Sequence, residues 1–260
     1  MDSQALSVAL ADGVLTVRLD RPEARNALTD EMLAGLRGAL ERAAADDDVQ
    51  AVVLTGSGEA FCAGADLSRF DGEPDPRRFR FDSHRLTDLV GMIERIEKPV
   101  VVAVNGLAVG LGVQLALACD LRVGGQSARF AFTEGKLGLL PTHGGVGRLV
   151  KLVGLARARD LLLGSATIDA QRALELGLLT EVVPDEELAA AARRLVERAL
   201  VRAPQSYGLV KRLLLLAASS DLDSAMAAET IGQSLLIGTD DHHEGRQAAR
   251  ERRPPEFTGR

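Results

Sequence analysis

The chain has 260 residues, 46% of them hydrophobic, enough to bury a sizeable core in one domain with an appendage. Aromatic residues are only 3% and Trp is absent, so Ala, Val and Leu must build that core. A net charge of −6 argues against sequence-independent nucleic-acid binding, although basic residues cluster in "RQAARERR" near the end, where a small anion could bind. No segment reaches the ~18 apolar residues of a membrane span, and "MDSQALSVAL" has no basic region followed by an apolar run, so a soluble, cytoplasmic protein is expected. Cys62 and Cys119 lack metal-like spacing and are expected to be reduced.

In chain order, "LSVALADGVLTVRLD" alternates about Asp12-Gly13 and predicts a hairpin. Thr29 opens "TDEMLAGLRGALERAAA", a helix with a capping residue, acids in its first turn and bases later. The acidic run "ADDDV" is a solvated turn into "VQAVVLTG", a β-branched strand closed by Gly56. "FDGEPDPRR" (70–78) is the expected mobile loop, and "RRFRFDSHRLTDLVGMIERI" has helical periodicity that puts His84 at the surface or a pocket rim. "KPVVVAVNG" is a buried strand, residues 110–118 a helix, and "LRVGG" and "ARFAF" further strands. From "GGVGRLVKLVG" helices continue the alternation, and after about residue 184 the pattern is helical. This gives an α/β core over 1–184 and a helical region over 185–260. In the latter, "DDHHEG" (240–245) reads as a helix start rather than a metal site, and Tyr207 as a packing or interface residue.

Three segments carry the chemistry. "GSGEAFCAGADL" (56–67) ends a strand in small residues, which let a ligand approach backbone amides; an ordinary tight turn is the alternative. "NGLAVGLG" has the same character and opens a helix, whose free N–H groups favour negative charge. Converging amides from the two would hold a carbonyl oxygen that gains charge, as in an enolate. Neither segment has the pattern of a P-loop or a dinucleotide loop. In "ARFAFTEGKLGLLPTHGGVGRLVKLVG", Glu134 follows an apolar strand, where partial enclosure would suit it to act as a base; a solvated residue paired with Lys136 is the alternative. His143, ahead of "GGVGRL", is either an acid/base group or a capping or hydrogen-bonding histidine.

Taken in order, "LDRPEARNAL", "VVLTGSGEAFCAGADL", "NGLAVGLGVQLALACD", "FTEGKLGLLPTHGGVGRLVKLVG", "ALELGLLTEVVP" and "EGRQAARERRPPEFTGR" resemble the enoyl-CoA hydratase/isomerase (crotonase) superfamily, from about residue 19 to residue 260. The resemblance implies a spiral of ββα units with a C-terminal helical region that mediates trimers, often dimers of trimers. It implies acyl-CoA thioester substrates and no cofactor beyond the CoA of the substrate. It places the two oxyanion-hole amides on Ala65 and Leu111, the latter where many relatives have Gly, so that the Leu side chain could reshape the acyl pocket. It places the strand-end catalytic carboxylate on Glu134, and substrate contacts at Ala63, Asp66, Leu67 and Gly110. Arg25 and Ala27 of "RPEARNAL" fall where CoA is lined, and C-terminal Lys and Arg residues could meet its phosphates.

Gln114 falls where two-glutamate hydratases carry their second carboxylate. An amide can hydrogen-bond a water but cannot exchange a proton at neutral pH. Losing a general acid/base typically costs roughly 10²–10⁴-fold. The expected reaction is therefore single-base isomerisation of 3-enoyl-CoA to 2-enoyl-CoA. Hydration of 2-enoyl-CoA, with a group such as His143 substituting, and non-catalytic acyl-CoA binding are the alternatives. A dienoyl isomerase ranks lower, because Thr142 stands where those relatives have an acid.

Overall fold

A computed structural model describes residues 5–71, 73, 75–164 and 167–260. Asp12 and Gly13 both take positive φ, 50° and 73°. They form the tight turn that pairs β1 (Leu6–Ala11) antiparallel with β2 (Val14–Leu19). The Thr29 side chain accepts from the Met32 amide and caps α1 (Asp30–Ala45), which buries Met32, Leu36 and Leu40.

From there the chain repeats one move: a strand in a first sheet, a three-residue strand in a second, then a helix. The units are β3 (Ala51–Gly56), β4 (Ala60–Cys62) and α2 (Pro76–Arg95); β5 (Val100–Val104), β6 (Leu107–Val109) and α3 (Leu111–Ala118); β7 (Leu121–Gly125), β8 (Arg129–Ala131) and α4 (Gly145–Val153). The chain continues through α5 (Leu155–Leu163), β9 (Thr167–Asp169), α6 (Ala170–Glu175) and β10 (Glu181–Val183). The first sheet runs β1-β2-β3-β5-β7-β10, parallel from β2 onward; the second runs β4-β6-β8-β9, with β9 antiparallel. This is the expected α/β spiral of ββα units.

Because β5 is covered on both faces, it is apolar throughout. Val100, Val102 and Val104 enter the main core, whereas Val101 and Ala103 enter a smaller one closed by α7 (Leu188–Leu200) through Leu188, Ala191, Ala192 and Leu195. The first helix after residue 184 thus covers the sheet. It is followed by α8 (Pro204–Ala217), α9 (Leu222–Leu236) and α10 (Asp240–Glu251).

The loop expected over 70–78 is shorter: Asp75 caps α2 by accepting from the Arg77 and Arg78 amides, and Pro76 occupies the first turn, where its missing N–H costs nothing. Gly72 and Pro74 lie outside the described residues. His84 is exposed. Thr239 caps α10 through the His242 amide, while Asp241 is buried and accepts from the Thr258 and Gly259 amides, clipping the C-terminus back onto the helix. Of the basic "RQAARERR" run, Arg253 is engaged by Glu244 and Glu251. Cys62 and Cys119 are free, and burial pushes both thiols up to about 12. Among the described residues no helix is long and apolar enough to cross a membrane.

Candidate active site

Each small-residue segment has a positive-φ glycine directly before its candidate amide, Gly64 at 99° and Gly110 at 49°, conformations that L side chains rarely adopt. Each therefore turns the next amide out of its strand. The two segments touch: a Cβ at Gly64 would lie 3.0 Å from the Val109 carbonyl oxygen and 3.6 Å from the Leu111 nitrogen. Ala65 bridges to Leu28 through bonds made by its neighbours, Leu28 N–H to Gly64 O (2.8 Å) and Asp66 N–H to Leu28 O (3.0 Å). Its own N–H, like that of Leu111 at the start of α3, donates to no acceptor among the described residues. The Leu111 side chain is buried in the main core.

Glu134 follows β8 and begins a short 3-10 turn, half-buried, with its carboxylate against Gly110: a Cβ on that glycine would lie 3.6 Å from Glu134 Oε1. No ion pair joins it to Lys136 among the described residues. Its partner is Gln114, which is 4% exposed and donates from Nε2 to Glu134 Oε1 over 3.3 Å. Glu134 Oε2 and Gln114 Oε1 are buried with no partner among the described residues. Buried polar atoms are rarely left so, because each such atom costs about 1–3 kcal/mol. A half-buried carboxylate beside two free amides can remove a proton next to a carbonyl whose oxygen gains charge.

A second group flanks the first. Arg25 and Asn26 take positive φ, and the Arg25 carbonyl accepts from the Ala63 amide (2.9 Å). Fully buried Asn26, which the sequence reading did not single out, donates to the carbonyls of Ser57 and Ala60 and accepts from the Arg21 amide. A short amide side chain in the left-handed region, inside a Gly-poor loop, was the available signal. Arg21 also donates to Ala27 O and pairs with Asp66. The Ser68 hydroxyl, then Arg21, hold the Asp66 carboxyl down at about 2. The Arg25 side chain and Leu67 are exposed on this rim, and Ala63 and Ala27 are half-buried.

His143 stands apart from the carboxylate. It precedes the Gly144 start of α4 and caps nothing; its Nδ1 lies 3.1 Å from Thr87 Oγ1 on α2, the hydrogen-bonding alternative of the sequence reading. Its loop backs onto the site, since a Cβ at Gly145 would lie 3.0 Å from Gln114 Cγ and 3.1 Å from Pro141 Cβ. Burial, then the nearby Arg69 and Arg148 charges, push the imidazole down to about 4. A separate cavity of about 560 Å³ between α7 and strands β2, β3 and β5, lined by Thr16, Arg18, Ser57 and Arg193, contains neither Glu134 nor Gln114 nor His143.

Residues 10–260 match the family described as Enoyl-CoA hydratase/isomerase. Among curated proteins, the chain is 36% identical to the 1,2-epoxyphenylacetyl-CoA isomerase of Escherichia coli K12, over 95% of this chain and 96% of that one. It is also 36% identical to the 2,3-dehydroadipyl-CoA hydratase of the same organism, over 98% and 99%. The crystal structure of an enoyl-CoA hydratase from Bacillus anthracis superposes with a TM-score of 0.93 at 34% identity, covering 99% of this chain and all of that one. The chain therefore belongs to the enoyl-CoA hydratase/isomerase (crotonase) superfamily and is an acyl-CoA enzyme of that type.

Proposed function

We propose that this enzyme moves a double bond, converting 3-enoyl-CoA to 2-enoyl-CoA with Glu134 as its single base. The amides of Ala65 and Leu111 hold the thioester oxygen. Glu134 Oε2 takes a proton from C2, and the electron pair passes to that oxygen as a dienolate. The same carboxyl returns the proton to C4, leaving the double bond between C2 and C3. Each oxyanion donor is worth on the order of 10²–10³-fold and the base roughly 10²–10⁴-fold.

The observation that carries this reading is the Gln114–Glu134 pair. Gln114 donates one amide hydrogen to Oε1 and leaves Oε2 free, so it positions the base and supplies no second proton-transfer group. Arg25, Ala27, Ala63, Asp66 and Leu67 line the CoA and thioester side. The CoA of the substrate is the only cofactor the reaction calls for. Hydration of 2-enoyl-CoA is the second reading, favoured by the hydratase names among the relatives. Self-association as a trimer or a dimer of trimers is supported by an apolar face on α8 and α9, where Leu214, Leu222, Ile231 and Leu235 are each more than 60% exposed. Sedimentation should give a multiple of three subunits; a stable monomer would refute that assembly.

The deciding assay follows 3-hexenoyl-CoA and crotonyl-CoA by ultraviolet absorbance with wild type and Glu134→Gln. Rapid conversion of the 3-enoyl ester alone, abolished by the substitution, is expected. Loss of crotonyl absorbance at a comparable rate would install the hydratase instead. Binding of both esters without turnover would leave an acyl-CoA binding protein.

A further inference from the structure

The two oxyanion amides are held by different means. The Leu111 N–H opens α3, whereas the Ala65 N–H lies in the loop that follows β4. That loop is bonded residue by residue to segment 25–28. Ala63 N–H donates to Arg25 O (2.9 Å), Leu28 N–H to Gly64 O (2.8 Å) and Asp66 N–H to Leu28 O (3.0 Å). Gly64 N–H meets the Cys62 sulfur, so within residues 63–66 only the Ala65 N–H has no acceptor among the described residues. A Cβ at Gly64 would lie 3.6 Å from the Leu111 nitrogen. Where segment 25–28 sits therefore decides how the two amides face one another.

Two side-chain clusters fix that segment. Fully buried Asn26 donates both Nδ2 hydrogens, to Ser57 O (2.9 Å) and Ala60 O (2.8 Å), and its Oδ1 accepts from the Arg21 amide (2.9 Å). It thereby joins segment 25–28 to the start of β4, three residues before the loop. Arg21 supplies the second tie: its Nη1 donates to Ala27 O (3.3 Å) and to Asp66 Oδ2. The other Asp66 oxygen accepts from the Ser68 amide (3.0 Å) and hydroxyl (2.6 Å), so both oxygens are engaged within the loop. Arg25 and Asn26, consecutive and both without the freedom of glycine, take φ of 50° and 58°. Such conformations persist only where the surroundings over-determine them, and they gather at functional sites.

We propose that Asn26 and the Arg21–Asp66 pair are positioning residues, which set the Ala65 amide where the thioester oxygen gains charge and so govern the rate of enolisation more than the binding of the ester. This inference rests on the acyl-CoA enolate reading and extends it to residues that touch neither the reacting carbons nor Glu134. An oxyanion donor acts mainly as charge develops, and a misplacement of about 1 Å can cost on the order of 10²-fold. The Leu111 amide is held separately by α3, so the loss is limited to one donor's share.

The test uses the intact enzyme and hexanoyl-CoA carrying carbon-13 at C1. Infrared difference spectra read the polarisation of the bound carbonyl, exchange of the C2 hydrogens in D₂O reads enolisation, and calorimetry reads affinity. In the wild type the carbonyl stretch should fall below that of the free ester. Asp66→Asn and Arg21→Gln should each return part of that shift and slow exchange by about 10- to 100-fold, with affinity changed by less than about threefold. Arg21→Lys keeps the charge without the planar fork and should fall between wild type and Arg21→Gln. Asn26→Gly keeps the backbone conformation while removing all three side-chain bonds, and should behave like Asp66→Asn in its folded fraction. The Arg21 and Asp66 variants, altered at partly exposed side chains, decide the matter if Asn26→Gly does not fold.

A wild-type carbonyl stretch and exchange rate in folded Asp66→Asn and Arg21→Gln would reduce the cluster to a stabilising role and overturn the inference. Affinity falling in step with exchange would make these residues ester contacts, and would overturn it too. In both cases the enolate reading stands, because the wild type still exchanges its C2 hydrogens. A wild type that binds the ester with neither a shifted carbonyl nor exchange would overturn the enolate reading, and the inference with it.

Discussion

Two buried polar clusters in this molecule are built to opposite rules. Lys211 on α8 is 6% exposed, yet its three ammonium hydrogens meet three acceptors: Ile93 O (2.8 Å), Lys98 O (3.2 Å) and Asp120 Oδ2 (2.8 Å). Asp120 accepts in turn from the Val100 amide and from Tyr207, so α8 is fastened to the end of α2 and the entry of β5 with nothing left over. The Gln114–Glu134 pair is as enclosed but leaves two acceptors open, and the amides of Ala65 and Leu111 add two open donors. A satisfied polar cluster holds a fold together; an unsatisfied one is kept because a ligand completes it.

The largest effect should come from the open cluster. Glu134→Gln removes the proton acceptor and should lower turnover by roughly 10²–10⁴-fold, about 3–5.5 kcal/mol of transition-state stabilisation. Thermal unfolding should shift little or upward, since a buried carboxylate oxygen without a donor is lost. A marked fall in melting temperature would place Glu134 with the fastening residues instead.

The complementary substitution, Lys211→Met, should cost about 3–5 kcal/mol of stability in urea unfolding, because it strands the Asp120 carboxylate. Turnover per folded molecule should stay at the wild-type level. Adding Asp120→Asn should recover part of the loss, the non-additivity expected of residues in one network. Full additivity would mean that the two groups are not coupled.

A smaller effect tests whether the open cluster can be rewritten. Gln114→Glu places a second carboxyl where the amide now lies 3.3 Å from Glu134, so the pair must share a proton at neutral pH. Crotonyl-CoA hydration should rise about 10- to 100-fold as 3-hexenoyl-CoA isomerisation falls. No gain in hydration would mean that the missing carboxyl is not what limits water addition.

The same contrast explains what the sequence made legible. Features set by a few adjacent residues could be read directly: the Asp12-Gly13 turn, the Thr29 cap, the two glycine-ended segments and the strand-end Glu134. The Asp75-Pro76 start of α2 was equally local, but two prolines close together made it look like loop. What depended on long-range pairing was hidden. The strands of the second sheet, three residues each, are too short to show a period. The Lys211–Asp120 pair joins positions 91 residues apart. For Leu111 the backbone amide was legible but not the place of the side chain, which is buried in the main core. Open and closed polar clusters use the same residue types, so only their partners distinguish them.

His143 belongs to neither class: its Nδ1 lies 3.1 Å from Thr87 Oγ1, and the residue is only half-buried. Its effect should be the smallest, and pH exposes it. With its imidazole held at about 4 against the ordinary 6.5, the unfolded chain binds one more proton than the folded one between those values. Stability should therefore fall as pH drops from about 6.5 to about 4 and level off, on this account, below that. The loss should be on the order of 1–2 kcal/mol, since the ring is half-exposed and partly screened. His143→Asn cannot take up that proton, so the stability difference between the two proteins should tilt toward the variant across that window alone. Asp66, at about 2, is shared by both proteins and titrates below the window, so it cancels. A constant difference from pH 7 to pH 4 would mean that the imidazole charges as freely in the folded protein as in the unfolded chain, and that burial and the nearby Arg69 and Arg148 charges do not keep it neutral.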